Sequence, residues 1–295
     1  PKTDFSSNDY LGFSKNGLIE KKIHELKLNP QQSGSTGSRL ISGNTQFTEE
    51  LENTIAKFHS AEASLIFNSG YDANVGLLSC IAGKRDLILY DELIHASIHD
   101  GIRMGYAKHY KIKHNDIEHL QRLIERNKDL VENVFIVVES VYSMDGDCAK
   151  LNELIEICDN KKTFLIVDEA HAIGVFGKSG RGLCNAVGIE EKCFARIYTY
   201  GKAMGCHGAA IVGSNELKDY LVNFARSFIY TTALPQHSLL MIKAAYELLE
   251  ESKYQQQLAD NINYFNSFTK DFIESISAIH CKLYRGNKNV NVIEE

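Results

Sequence analysis

Asp168 closes the apolar run Phe164-Leu165-Ile166-Val167-Asp168, and Lys202 follows Ile197-Tyr198-Thr199-Tyr200-Gly201. Both runs are rich in β-branched, aliphatic and aromatic residues, which reads as buried strand. An amine and an acid delivered by two strand ends suit pyridoxal phosphate chemistry. The amine holds the aldehyde as a Schiff base, and the acid keeps the pyridine nitrogen protonated. Metal chemistry has no comparable signal: the seven cysteines are scattered, with no Cys-x-x-Cys pair.

Further candidates group around that pair. Asn68-Ser69-Gly70-Tyr71 joins an apolar run to a helical one, where Gly70 and Tyr71 N–H groups at a helix start can receive phosphate. A plain tight turn explains the same residues. His171 lies three residues past Asp168, close enough for both to reach one ligand. His95 reads either as an imidazole lying on a ring or as an ordinary helix-start residue. Ser143 reads as a ligand or as a loop residue ahead of the helix at Leu151, and Thr199 as a phosphate contact or a strand residue. Thr231 and Thr232 lie in an extended stretch. Asp168-Glu169-Ala170-His171 also spells a helicase box, followed by a Walker-like Gly174 to Ser179. A phosphate loop should precede a helix and lie upstream of the magnesium acid, and here it does neither.

Alternating patterns supply the elements that must position these groups. Strands are expected at 63–68, 86–90, 107–112, 133–139, 163–168, 195–200 and 209–213. Helices are expected at 47–59, 71–81, 95–104 and 117–127, from Leu151, through Arg226, and over 236–251 and 254–275. Near-continuous apolar strands between amphipathic helices predict an α/β fold with a mostly parallel sheet covered on both faces. In such sheets ligands bind at the carboxyl ends of strands, and all the candidates above fall just past strand ends. The organisation expected is an N-terminal segment 1–45, a large α/β domain 46–240 and an incomplete C-terminal small domain 241–295.

The 295 residues are 44% hydrophobic and 24% charged, enough for a substantial core, with a net charge of −6. Without a basic block, nucleic acid is not an expected partner. No apolar run reaches membrane-span length and no signal peptide opens the chain, so a cytoplasmic protein with reduced thiols is expected. The opening Pro1-Lys2-Thr3-Asp4-Phe5 is expected to begin partway into a protein.

Taken in order, several strings resemble the α-oxoamine synthase family of fold-type I pyridoxal phosphate enzymes. They are Ser6-Ser7-Asn8-Asp9-Tyr10-Leu11-Gly12, Gly34-Ser35-Thr36-Gly37-Ser38-Arg39 with Gly43-Asn44, and Ser69-Gly70-Tyr71-Asp72-Ala73-Asn74. His95-Ala96-Ser97, Ser143-Met144-Asp145-Gly146-Asp147, Asp168-Glu169-Ala170-His171 and Gly180-Arg181-Gly182 follow. Thr199-Tyr200-Gly201-Lys202 and Tyr230-Thr231-Thr232-Ala233-Leu234-Pro235 complete the set.

The resemblance implies a Schiff-base Lys202, Asp168 on the pyridinium nitrogen, His171 and Ser143 on the ring oxygen, and His95 stacked on the ring. It implies phosphate contacts from Gly70, Tyr71 and Thr199, and a homodimer with shared active sites in which Thr231 and Thr232 reach the neighbouring phosphate. The implied reaction is a decarboxylating condensation of an amino acid with an acyl-CoA. The first and last of these strings look most like the biotin-pathway branch, which uses L-alanine and pimeloyl-CoA. The branches forming aminoketones from glycine or serine are the alternative, with an aminotransferase or a non-catalytic subunit more remote. Against the family pattern the N-terminal segment and most of the small domain, with its carboxylate-binding arginine, are expected to be missing. Residues 286–295 read as an interrupted stretch.

Overall fold

The computed structural model describes residues 4–27, 32–158, 162–251, 253–269, 272–273 and 275–282. Its strands are β1 (Ala63–Phe67), β2 (Leu87–Asp91), β3 (Lys108–Ile112), β4 (Val134–Glu139), β5 (Thr163–Asp168), β6 (Ala195–Thr199) and β7 (Ala209–Gly213). Among the described residues they form one seven-stranded sheet in the order β1-β7-β6-β5-β4-β2-β3. Every neighbouring pair is parallel except those made by β7, which runs antiparallel to both β1 and β6. Six strands therefore point the same way, and their carboxyl ends share one edge. β4 is buried along its whole length, and β5 nearly so, as a sheet covered on both faces requires.

Helices α1 (Leu18–Glu25), α2 (Gln46–Phe58), α3 (Gly70–Cys80), α4 (Ala96–Met104), α5 (Ile117–Asn127) and α6 (Leu151–Ile157) precede α7 (Leu183–Ala186) and α8 (Asn215–Phe224). The last three are α9 (Arg226–Ile229), α10 (Gln236–Leu249) and α11 (Lys253–Phe268). Local chemistry sets their starts. Thr45, Ser69, Asp116 and Ser214 each accept the backbone N–H three residues on, satisfying a donor that has no intrahelical partner. α3 and α4 pack together on one face of the sheet, with Leu77, Leu78, Ile98 and Ile102 in a core shared with β2 and β6. α10 packs against α1 and α2, and their core includes Tyr198, Tyr200 and Tyr246.

Most expected elements form within a residue or two of their expected bounds. Three differ. α1 was not expected, because its eight residues carry only two buried apolar side chains, Ile19 and Ile23. The helix expected through Arg226 breaks at Ala225, whose backbone is extended. The helix expected over 254–275 stops at Phe268. Further on, Ile273 N–H bonds Cys281 O, and Ser275 and Ser277 donate to Gly146 O. The stretch 286–295 lies outside the described residues. No helix among the described residues is long and apolar enough to cross a membrane.

Candidate active site

At the carboxyl edge, β4 and β5 end on carboxyl groups in register: Glu139 stands opposite Asp168. Residues paired this way on parallel strands project to the same face, here the face that α3 covers. Asp168 is buried; its Oδ2 accepts Asn74 Nδ2 at 2.8 Å and its Oδ1 accepts the Ala170 N–H at 3.0 Å. Glu139 is 2% exposed. Burial first, and then the charge of Asp168, push its carboxyl up to about 8, against a smaller pull from Lys202. Near neutrality Glu139 is thus held largely protonated, because burial and the neighbouring acid both disfavour its charge.

Lys202 follows β6 on the Tyr200-Gly201 turn, and its Nζ lies 2.8 Å from His171 Nε2. Burial pulls the ammonium below its ordinary range, while Asp168 and then Glu139 push back. His171 is buried too. Desolvation, then the nearby charge of Lys202, then His95, hold its imidazole down to about 3, so it is neutral. Its Nδ1 lies 2.7 Å from Tyr10 Oη, which also donates to Asn8 Oδ1 at 3.0 Å. One consistent hydrogen pattern follows: Lys202 donates to Nε2, Nδ1–H donates to Tyr10, and Tyr10 donates to Asn8. Burial also raises the Tyr10 phenol, which keeps that donor protonated.

A second cluster forms where β1 and β6 end level with the start of β7, with Phe67 and Thr199 both opposite Ala209. Ser69 Oγ accepts the Asp72 N–H and starts α3. A Cβ added at Gly70 would collide with Thr199 Oγ1, so only glycine lets the first turn of α3 lie against that hydroxyl. Free N–H groups beside a hydroxyl at the start of an eleven-residue helix suit an anion. Tyr71 is half-exposed, with its Oη donating to Asp100 at 2.6 Å. Asn68 Nδ2 binds Thr231 Oγ1 at 3.0 Å and Thr232 O at 2.8 Å, which seats the threonine segment beside this turn.

The remaining candidates lie along the same edge. His95 starts α4, where its Nδ1 lies 3.2 Å from Ser97 N and 2.7 Å from Ser97 Oγ. Ser143 is half-buried in the loop after β4. The Walker-like string does not build a phosphate loop. Lys178 to Gly180 form a single 3-10 turn, and the next helix is only the four-residue α7. The first N–H groups of α7, from Leu183 and Cys184, are taken at 2.7 Å by the buried Glu169 carboxyl.

Sequence reading missed three groups here. Glu139 could have been found, since Val137-Val138-Glu139 ends its strand as Ile166-Val167-Asp168 does. Asn74 and Tyr10 stand inside strings that carry the resemblance but have no strand-end signal of their own, because their partners lie 94 and 161 residues away.

An amine, an acid facing an amide, a neutral imidazole and an anion-friendly helix start make up the donor set of a phosphate-bearing aldehyde cofactor site. The aminotransferase class I and II family model matches residues 1–289. The chain belongs to that family. A relative from Emericella nidulans named 8-amino-7-oxononanoate synthase is 47% identical over 270 residues, which are 86% of this chain and 65% of the relative. Another of that name, from Chlorobaculum parvum, is 44% identical over 79% of this chain and 60% of its own length. The chain thus spans somewhat under two thirds of these two curated relatives.

Among solved structures, a serine palmitoyltransferase from Sphingomonas wittichii superposes with a TM-score of 0.82 at 29% identity, covering 90% of this chain and 66% of that one. An 8-amino-7-oxononanoate synthase from Francisella tularensis superposes with a TM-score of 0.74 at 33% identity, covering 90% and 75%. The fold-type I transferase architecture expected from sequence is the one found, with a mostly parallel sheet.

Proposed function

We propose that this chain carries the pyridoxal phosphate site of an acyltransferase that condenses L-alanine with pimeloyl-CoA, releasing CoA and CO2. The observation that carries this reading is the placement of Lys202 Nζ 2.8 Å from a neutral His171, with Asp168 on the neighbouring strand end. The names of the relatives from Emericella nidulans and Chlorobaculum parvum support the condensing reaction over amino-group transfer. When bound, pyridoxal phosphate supplies an aldehyde for amines and a ring that accepts electrons from a broken bond at the amino-acid α-carbon.

Asp168 would hold the ring nitrogen, His171 and Ser143 the ring oxygen, and His95 the ring face. Gly70, Tyr71 and Thr199 would take the phosphate. Lys202 would hold the aldehyde carbon and, when released, take and return a proton at Nζ. Its burial favours the neutral amine that this task needs. His171 accepts a hydrogen bond from Lys202 and so aims that amine, while Tyr10 fixes the imidazole from its other side. Glu139 is held largely protonated near neutrality beside Asp168.

Product analysis after incubation with pimeloyl-CoA and a panel of amino acids tests the assignment. An 8-amino-7-oxononanoate product supports it, and a long-chain ketone from serine and palmitoyl-CoA replaces it with the serine palmitoyltransferase reading that the structural neighbour favours.

The working unit in this reading is a cytoplasmic homodimer. The 37–43 loop and the threonine segment are joined by the Ala233 N–H to Gly37 O bond, and together they expose Ile41 and Tyr230. Exposed apolar side chains on loops beside a site suit a subunit interface. Mixing a Lys202→Ala chain with a Thr231→Ala/Thr232→Ala chain should restore part of the activity. A fully active monomer would remove the shared site.

A further inference from the structure

Asn74 on α3 is 2% exposed, and its Nδ2 has two hydrogens facing two acceptors, Asp168 Oδ2 at 2.8 Å and Ser97 Oγ at 3.0 Å. A carboxylate only accepts, so the amide nitrogen rather than its oxygen must point this way. Ser97, fully buried in the first turn of α4, meets His95 Nδ1 twice, through its backbone N–H at 3.2 Å and its Oγ at 2.7 Å. The two helices approach this closely because α4 carries Gly101, where a Cβ would sit 2.8 Å from the Asn74 carbonyl oxygen.

Counting hydrogens leaves one arrangement. The Ser97 N–H can only donate, so His95 Nδ1 must offer a lone pair. With no hydrogen on Nδ1, the 2.7 Å contact needs Ser97 Oγ as its donor, and the hydroxyl that accepts from Asn74 still has that hydrogen to give. An imidazole accepting at Nδ1 carries its hydrogen on Nε2.

We infer that Asn74 is a positioning residue that, through Ser97, holds His95 as the Nε2–H tautomer and ties its ring to Asp168. This deepens the proposed function and rests on it for the cofactor. There, the acid at the ring nitrogen and the imidazole on the ring face form one hydrogen-bonded unit. His95 then presents a donor at Nε2, so in the resting site it can give a proton there but not take one.

The test is two-bond proton–nitrogen correlation on chain labelled with nitrogen-15 histidine, without cofactor and at pH 8.5. His95 should show a bare Nδ1 and a protonated Nε2, the Nε2–H form in about tenfold excess or more, as two hydrogen bonds to Nδ1 imply. Ser97→Ala keeps the backbone N–H but loses the hydroxyl, and should cut that excess about fivefold. Asn74→Ala should lower it in the same direction. If Asn74→Ala does not fold, Ser97→Ala, which removes one oxygen, carries the test. A dominant Nδ1–H form in the parent chain, or an unchanged ratio in Ser97→Ala, overturns the inference. Because the tautomer is read without cofactor, failure of pyridoxal phosphate to bind would count against the proposed function and not against this network.

Discussion

Replacing Glu139 with glutamine keeps the shape of the side chain and removes its titration. In the folded chain this carboxyl is raised to about 8 by burial and by Asp168, while in the unfolded chain it returns to the ordinary value of about 4.3. Between those values the folded state binds more protons than the unfolded one, so this group's contribution to stability falls as pH rises. It is fully present below the unfolded value and is gone above the folded one. The slope is about 1.4 kcal/mol per pH unit, which amounts to roughly 2–3 kcal/mol from pH 5 to pH 7.

His171 works in the opposite sense. Its folded value of about 3 lies below the ordinary 6.5, so it destabilises the fold increasingly as pH drops below about 6.5, by about 2 kcal/mol at pH 5. The parent chain should therefore owe little net pH dependence to this pair between pH 5 and 7. Glu139→Gln should expose the histidine and gain stability relative to the parent by roughly 2–3 kcal/mol across that interval. Urea unfolding of cofactor-free chain at pH 5, 6 and 7 reads the difference directly. Parent and variant curves that stay parallel within about 0.5 kcal/mol would refute the placement of a protonated acid beside Asp168.

Borohydride reduction and peptide mapping should place the cofactor on Lys202, and a label on another lysine would remove that assignment. Lys202→Ala should abolish turnover while retaining much of the noncovalent cofactor binding. Asp168→Asn should fold, bind pyridoxal phosphate more weakly, and lose nearly all exchange of the L-alanine α-proton in heavy water; exchange near the parent rate would contradict the role given to the acid. Gly70→Ala drives a methyl into Thr199 and should weaken pyridoxal phosphate binding about tenfold or more, as displacement of one charge-assisted hydrogen bond implies. Equal affinity by absorbance titration would dissociate the α3 start from the phosphate.

The sequence revealed what is local. Thr163–Asp168 and Ala209–Gly213 appear where their apolar runs place them, because a strand buried on both faces must be apolar throughout. Asp168, Lys202 and His171 were legible for the same reason: polar groups at the ends of such runs stand out. Asn74 and Tyr10 were opaque, since their roles come from packing α3 and the N-terminal segment onto strand ends far along the chain. Glu139 sat in plain view, but its role depends on the β4–β5 register, which no single strand reveals. α1 and the break at Ala225 depend on tertiary contacts that override local pattern.

The antiparallel strand β7 also sets a schedule. β1 has no sheet neighbour other than β7 among the described residues, and Phe67 pairs with Ala209. At roughly 5–20 residues per second, synthesis makes β1 wait roughly seven to thirty seconds for its neighbour. β2 through β6 can meanwhile assemble in parallel around their own crossovers. The register that sets Phe67 and Thr199 both opposite Ala209 is complete only once that late strand lies between β1 and β6. A chain ended before Ala209 should leave Phe67 open to proteolysis while the β4–β5 region resists.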